Sequence, residues 1–143
     1  MGIKWLIAIS RLNIWFINTF MILENELYLA LGYCVFMLAL FLIFRAFPPK
    51  KINQLYGYRT ARSMANETVW KDANDYSIKL GVKLGVYGLF LPLFYYFIWP
   101  EQLMLATVLT HTAALLFIVI GTELYLNLHY DKKGQPKNPT PKD

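Results

Sequence analysis

The sequence predicts an all-α polytopic membrane helix bundle, with three strong spans and a fourth, N-terminal helix. Three uncharged apolar runs carry this reading. Leu27 to Phe44 covers 18 residues, Leu84 to Pro100 covers 17 and Gln102 to Thr122 covers 21. A helix rises about 1.5 Å per residue and the hydrocarbon core is about 30 Å thick, so about 20 apolar residues cross it. Backbone polar groups in lipid must be satisfied within the segment, which makes the spans helices rather than open strands. At 143 residues, three or four spans leave no length for a separate soluble core.

The N-terminal segment, residues 1–26, is the weakest of the apolar stretches. Trp5 to Leu23 is mostly apolar, but Arg11, Asn13 and Asn18 interrupt it. A span entering from the cytoplasm fits Lys4 inside and Glu24 outside. An arginine near a helix centre costs about 2.5–3.5 kcal/mol on insertion scales, less if it snorkels to the interface. Two other readings stay open: an amphipathic helix lying on the surface, or upstream sequence with Met21 as the start. No A-x-A-like site marks a secretory signal peptide.

Charge orients the remaining elements. Arg45, Lys50, Lys51, Arg59, Arg62, Lys71, Lys79 and Lys83 lie between the first and second strong spans, and Lys132, Lys133, Lys137 and Lys142 follow the last. The other side holds Glu24, Glu26 and Glu101. The positive-inside rule places the 46–80 loop and the C-terminus in the cytoplasm and the Trp99–Gln102 turn outside. The net charge of +5 is therefore a topology signal, and no nucleic-acid partner is expected. Cys34 lies within an apolar run and reads as a small packed side chain, with no disulfide to form.

Pro48 and Pro49 stop the first strong span, since proline gives no N–H and restricts its predecessor. Gly57, between Tyr56 and Tyr58, permits a sharp turn. Asn66 reads as an N-cap with Glu67 in the first turn. The helix it starts continues to about Trp99, about 50 Å, with Trp70 and Tyr76 at headgroup level and a kink at Pro92. Asn74, Ser77, Gly81, Gly85 and Gly88 form one stripe of small residues, read first as a packing seam within the monomer and second as a dimer interface.

The quoted residues also carry a likeness. Pro48-Pro49-x-x-Ile52-Asn53, Tyr56-Gly57-Tyr58-Arg59-Thr60, Arg62-Ser63-Met64, Asn66-Glu67, Trp70 and Asn74 resemble the loop of the SdpI family of small bacterial membrane proteins. Thr122-Glu123-x-Tyr125-Leu126 and Asp131-Lys132-Lys133-Gly134 continue the resemblance after the last span. It covers about 27–134, and compact members consist of those three spans. The best-known member is an immunity protein that protects against a secreted toxin peptide and holds a transcriptional repressor at the membrane. The resemblance implies immunity or signalling as the role, a toxin peptide or repressor as partner beside the lipid bilayer, and the bacterial inner membrane as the location.

Asn53, Tyr56, Gly57, Tyr58, Arg59, Thr60, Arg62, Ser63, Trp70, Asn74 and Glu123 form the candidate cluster. Arg59 and Arg62 have guanidinium groups suited to lipid phosphate, a partner carboxylate or Glu123. Glu123, a carboxylate near the inner end of a span, is expected to pair with one of them and clamp the loop to the bundle. The alternative gives Glu123 the coupling role in a small-solute or lipid transporter, or in an accessory subunit of one. Lys50 and Lys51 read as orientation charges. His111 and His129 have no ligand-spaced companions, so neither metal nor cofactor is expected. No Walker loop, nucleophile elbow or carboxylate pair points to catalysis, which leaves an enzyme as the third reading. The tail 134–143, rich in proline, is expected to be disordered.

Overall fold

In the computed structural model residues 2–137 are described, with the side chains of 2–10, 15, 16 and 18–20 outside the description. Four α-helices follow in order: α1 Gly2–Ala46, α2 Glu67–Gly88, α3 Leu91–Ile98 and α4 Leu103–His129, with a 3-10 turn at Pro100–Gln102 before α4. Among the described residues three stretches are long and apolar enough to cross a membrane: Met21–Ala46, Glu67–Ile98 and Pro100–His129.

The N-terminal helix is present, but as the first half of α1 rather than as a separate element. From Ile3 to Leu31 the chain carries neither glycine nor proline, so nothing ends the helix at Glu24-Asn25-Glu26. At 45 residues α1 is about 68 Å long. A continuous helix cannot double back, so residues 2–20 extend the axis of the span beyond Glu24.

The helix from Glu67 breaks where a kink is expected. Pro92 has no N–H to donate to the Gly88 carbonyl. Just before it, Leu89 N donates to Val86 O at 3.3 Å and Phe90 N to Tyr87 O at 3.1 Å, a tighter spacing than the α-helix uses. Pro92 then sits in the first turn of α3, where a missing N–H costs little. α3 reverses through Trp99–Gln102 into α4.

The helices pack as a bundle in which α1 touches α2 and α4, and α2 and α3 touch α4. The small-residue stripe of α2 is the seam: Asn74, Ser77, Gly81, Gly85 and Gly88 are all buried. Phe41 of α1 occupies the space a Gly81 side chain would need. A Cβ on Gly85 would lie 3.1 Å from Leu38 Cδ1, and one on Gly88 would lie 2.7 Å from His111 Nε2 of α4. The stripe is thus spent on α1 and α4 of the same chain. On α4 the buried residues Leu103, Thr107, His111, Ile118, Thr122 and Leu126 form the answering face. Thr107 and Thr122 satisfy their hydroxyls on the carbonyls four residues back, at 2.8 and 2.7 Å. Val35, Phe36, Leu109, Leu116 and Ile120 point outward, as a lipid-facing surface requires.

The two ends of the bundle differ in charge. Glu26, Glu101 and Gln102 border a cavity at one end, and Arg45, Lys50, Lys71 and Lys79 border another at the opposite end. The expectation of disorder from Gly134 onward is corrected for residues 134–137. Asp131 accepts the N–H groups of Lys133 and Gln135 at 2.8 Å, and Gly134 adopts φ +76°. The chain then turns back to pair Lys137 N with His129 O at 2.9 Å. Residues 138–143 of that expected tail lie outside the described residues.

Candidate functional site

Residues 47–66 fold into a bracket across the ends of α1, α2 and α4. The Pro49 carbonyl accepts Nε1–H of the fully buried Trp70 at 3.1 Å, which fixes the loop's start on α2. Asn53 caps a local turn, its Oδ1 accepting Tyr56 N at 2.7 Å and Leu55 N at 3.1 Å. The Tyr56 hydroxyl donates to the Phe47 carbonyl, and its ring meets Phe44 edge-on at 5.2 Å. Gly57 has φ +107°, and a Cβ there would stand 2.5 Å from Asn74 Oδ1 and 2.9 Å from Pro49 Cγ. Only glycine meets both demands.

Asn74 is the hub on α2. It is 2% exposed. Its Oδ1 accepts Tyr58 N at 2.6 Å, and its Nδ2 donates to Trp70 O at 2.8 Å. A buried amide with both ends engaged holds the loop backbone in register with the helix.

Tyr58 then reaches α4. Its hydroxyl lies 3.0 Å from Glu123 Oε1 and 3.1 Å from Val119 O. A phenol has one proton to donate, and a carboxylate is the stronger acceptor. Thr60 Oγ1 donates to the same Glu123 oxygen at 2.8 Å and accepts Ser63 N at 3.1 Å. Ser63, fully buried, accepts Thr60 N at 2.9 Å and donates to Tyr58 O at 2.8 Å. Burial raises the Tyr58 phenol pKa above its ordinary value, and the bond to Glu123 and the charge of that carboxylate add to the shift.

The expected pairing of Glu123 with an arginine is corrected. The Arg59 guanidinium donates to the carbonyl of Gln54 within its own loop. Arg62 donates to the Asn127 side chain and, at 3.1 Å, to the Tyr130 carbonyl. Among the described residues the one ion pair is Lys79–Asp75, exposed, at 2.7 Å. The reason is geometric. In an extended segment residues two apart face the same way. With Tyr58 and Thr60 turned to Glu123, Arg59 between them is turned out. Two neutral hydroxyls satisfy the half-buried carboxylate without desolvating a second charge.

Further ties were not visible in the motif. The N-cap Asn66 accepts Val69 N at 3.0 Å as expected, and its Nδ2 also donates to Gly134 O at 2.9 Å, joining the start of α2 to the C-terminal turn. The Tyr130 hydroxyl donates to Asp72 of α2. Burial raises the Tyr130 pKa, with the Asp72 bond and charge as further causes. Tyr125 stacks on Tyr76 and lies tilted against His129, each ring centroid 4.3 Å from its own. His111 lies in the bundle, its Nδ1 3.2 Å from Thr107 O and its ring edge-on to Tyr33.

The bracket's polar groups are thus largely consumed in holding it. What it presents outward is Leu55, 92% exposed, with exposed Gln54 and Arg59.

Comparison with known proteins places the chain in a family. The curated protein named "Uncharacterized protein YfhL" from Bacillus subtilis strain 168 is 47% identical over 45 residues, which are 32% of this chain. The match spans 41% of that relative's length. No solved structure matches. The model of the SdpI/YfhL protein family matches residues 50–122, taking in most of the bracket, α2, α3 and α4 up to the residue before Glu123. The chain belongs to the SdpI/YfhL protein family.

Proposed function

We propose that this multi-pass membrane protein acts by binding, without catalysis, in immunity to a secreted toxin peptide, in signalling by holding a transcriptional repressor, or in both. One observation carries the reading: the bracket is tied to α2 and α4 by hydrogen bonds of its own, yet its tip leaves Leu55 92% exposed beside exposed Gln54 and Arg59. Recognition residues sit most effectively on loops held by a rigid scaffold, because less ordering is left for the binding step. The lysines and arginines gathered at this end argue that it faces the cytoplasm. A cytoplasmic tip fits the capture of a soluble regulator directly. Use of Glu123 as a transport coupling group is less well supported, since two hydroxyls already occupy its Oε1.

The test uses cells lacking the chain and cells carrying Leu55→Ser with Arg59→Gln. Survival in toxin-containing culture supernatant and membrane recruitment of the repressor are scored at matched protein levels. The reading expects deletion to abolish at least one, and the double variant to reproduce that loss while melting like the parent. Normal survival and recruitment after deletion would end it. Full function in the double variant would remove the tip from it.

A further inference from the structure

A second basic feature lies on the other side of the bracket. A cavity of about 460 Å³ opens between the end of α1 and the first turns of α2, lined by Arg45, Lys50, Lys71 and Lys79 together with Asp72 and Asp75. Pro48, Pro49 and Ile78 supply apolar wall. Four cations against two carboxylates leave it positive by two, and the carboxylates are already engaged. Asp75 pairs with Lys79, and Asp72 accepts the Tyr130 hydroxyl. Among the described residues, no carboxylate lies within ion-pair distance of Arg45, Lys50 or Lys71.

We propose that this cavity binds the phosphodiester headgroup of an anionic membrane lipid. Arg45 offers a planar fork for two phosphate oxygens, and Lys50 and Lys71 offer mobile ammonium groups around it. The cavity lies where the apolar part of α1 ends, at headgroup depth. Apolar side chains follow its lining residues along both helices toward the span. Leu42, 46% exposed, lies one turn above Arg45 on α1, and Val82 and Val86 follow Lys79 at helical spacing on α2. Basic pockets between spans at the membrane surface are suited to such headgroups. A free phosphate would use the cations but not these apolar side chains.

Native mass spectrometry of the full chain in nonionic detergent tests this. The probes are phosphatidylglycerol, phosphatidylcholine with the same acyl chains, and inorganic phosphate as competitor. Phosphatidylglycerol should bind in preference to phosphatidylcholine and resist displacement by phosphate. Arg45→Gln with Lys71→Gln should weaken it by about thirtyfold. Lys132→Gln with Lys133→Gln removes the same charge outside the cavity and should leave binding unchanged. Should the first pair fail to fold, Lys50→Gln with Lys71→Gln, both exposed, replaces it with the same expectation. Equal binding of the two lipids, or equal loss in test and control pairs, would overturn the site. Ready displacement by inorganic phosphate would make it a soluble-phosphate site and overturn the lipid assignment.

Discussion

The Tyr58 hydroxyl stands 3.0 Å from Oε1 of Glu123, 65 residues away in the chain, while the Tyr58 backbone N–H is held by Asn74 at 2.6 Å. One residue thereby joins the loop to α2 through its backbone and to α4 through its side chain. The bracket is a latch made of neutral donors on a carboxylate, while its arginines bond carbonyl and amide oxygens instead.

The latch sets an alkaline limit. Tyr58 and Tyr130 have raised pKa values, so the folded protein keeps phenolic protons that the unfolded chain releases at about pH 10. Their contribution to stability is complete below that pH and is lost as pH rises toward the folded values. In detergent, the melting temperature should fall more steeply above about pH 10 in the parent than in Tyr58→Phe. Tyrosinate absorbance of Tyr58→Phe should lose amplitude only from the late part of the titration.

Gly57→Ala should unlatch the loop. The new Cβ would meet Asn74 Oδ1 at 2.5 Å with the backbone at φ +107°. Strain of this kind costs about 1–3 kcal/mol. A lowered melting temperature and faster proteolysis between Lys50 and Arg62 are the expected readouts. Gly32→Ala, where an added Cβ meets nothing within 4 Å, should not destabilise.

The α2 seam makes a similar contrast. Gly81→Leu drives a side chain into Phe41, and overpacking of this sort costs about 1–3 kcal/mol or more. Val86→Leu, at a position 43% exposed, should melt within a degree or two of the parent, as about 0.5 kcal/mol allows. Equal melting of the two variants would mean the stripe is not a seam.

Much of this architecture was legible in the sequence because lipid imposes simple rules. Uncharged length gave the spans, and the small residues at 74, 77, 81, 85 and 88 gave the buried face of α2. Pro92 marked the break, but not the way Leu89 and Phe90 would bond around it. Continuity through Glu24 was harder to see, because charge and helix termination were read as one signal. They are separate: glutamates end an apolar run without ending a helix. The site was legible as a group of residues and misread in its pairing. Opposite charges at one end of a bundle suggest an ion pair, yet the alternation of Tyr58, Arg59 and Thr60 decides which side chains reach α4. The turn at 131–137 was hidden by the proline-rich composition of the tail, because its order rests on two local features, the Asp131 side-chain cap and the positive φ of Gly134.

The latch itself is tested most directly by a double-mutant cycle on thermal or denaturant stability in detergent. Tyr58→Phe and Glu123→Gln remove the two halves of the contact, and Arg59→Gln serves as the comparison. Hydrogen bonds to charged groups are worth about 1.5–3 kcal/mol, with less expected at a wet interface. Tyr58 and Glu123 should therefore couple by about 1 kcal/mol or more, and Arg59 and Glu123 should add within about 0.5 kcal/mol. Additive costs for Tyr58 and Glu123, together with strong coupling between Arg59 and Glu123, would contradict the neutral latch and restore the ion-pair clamp.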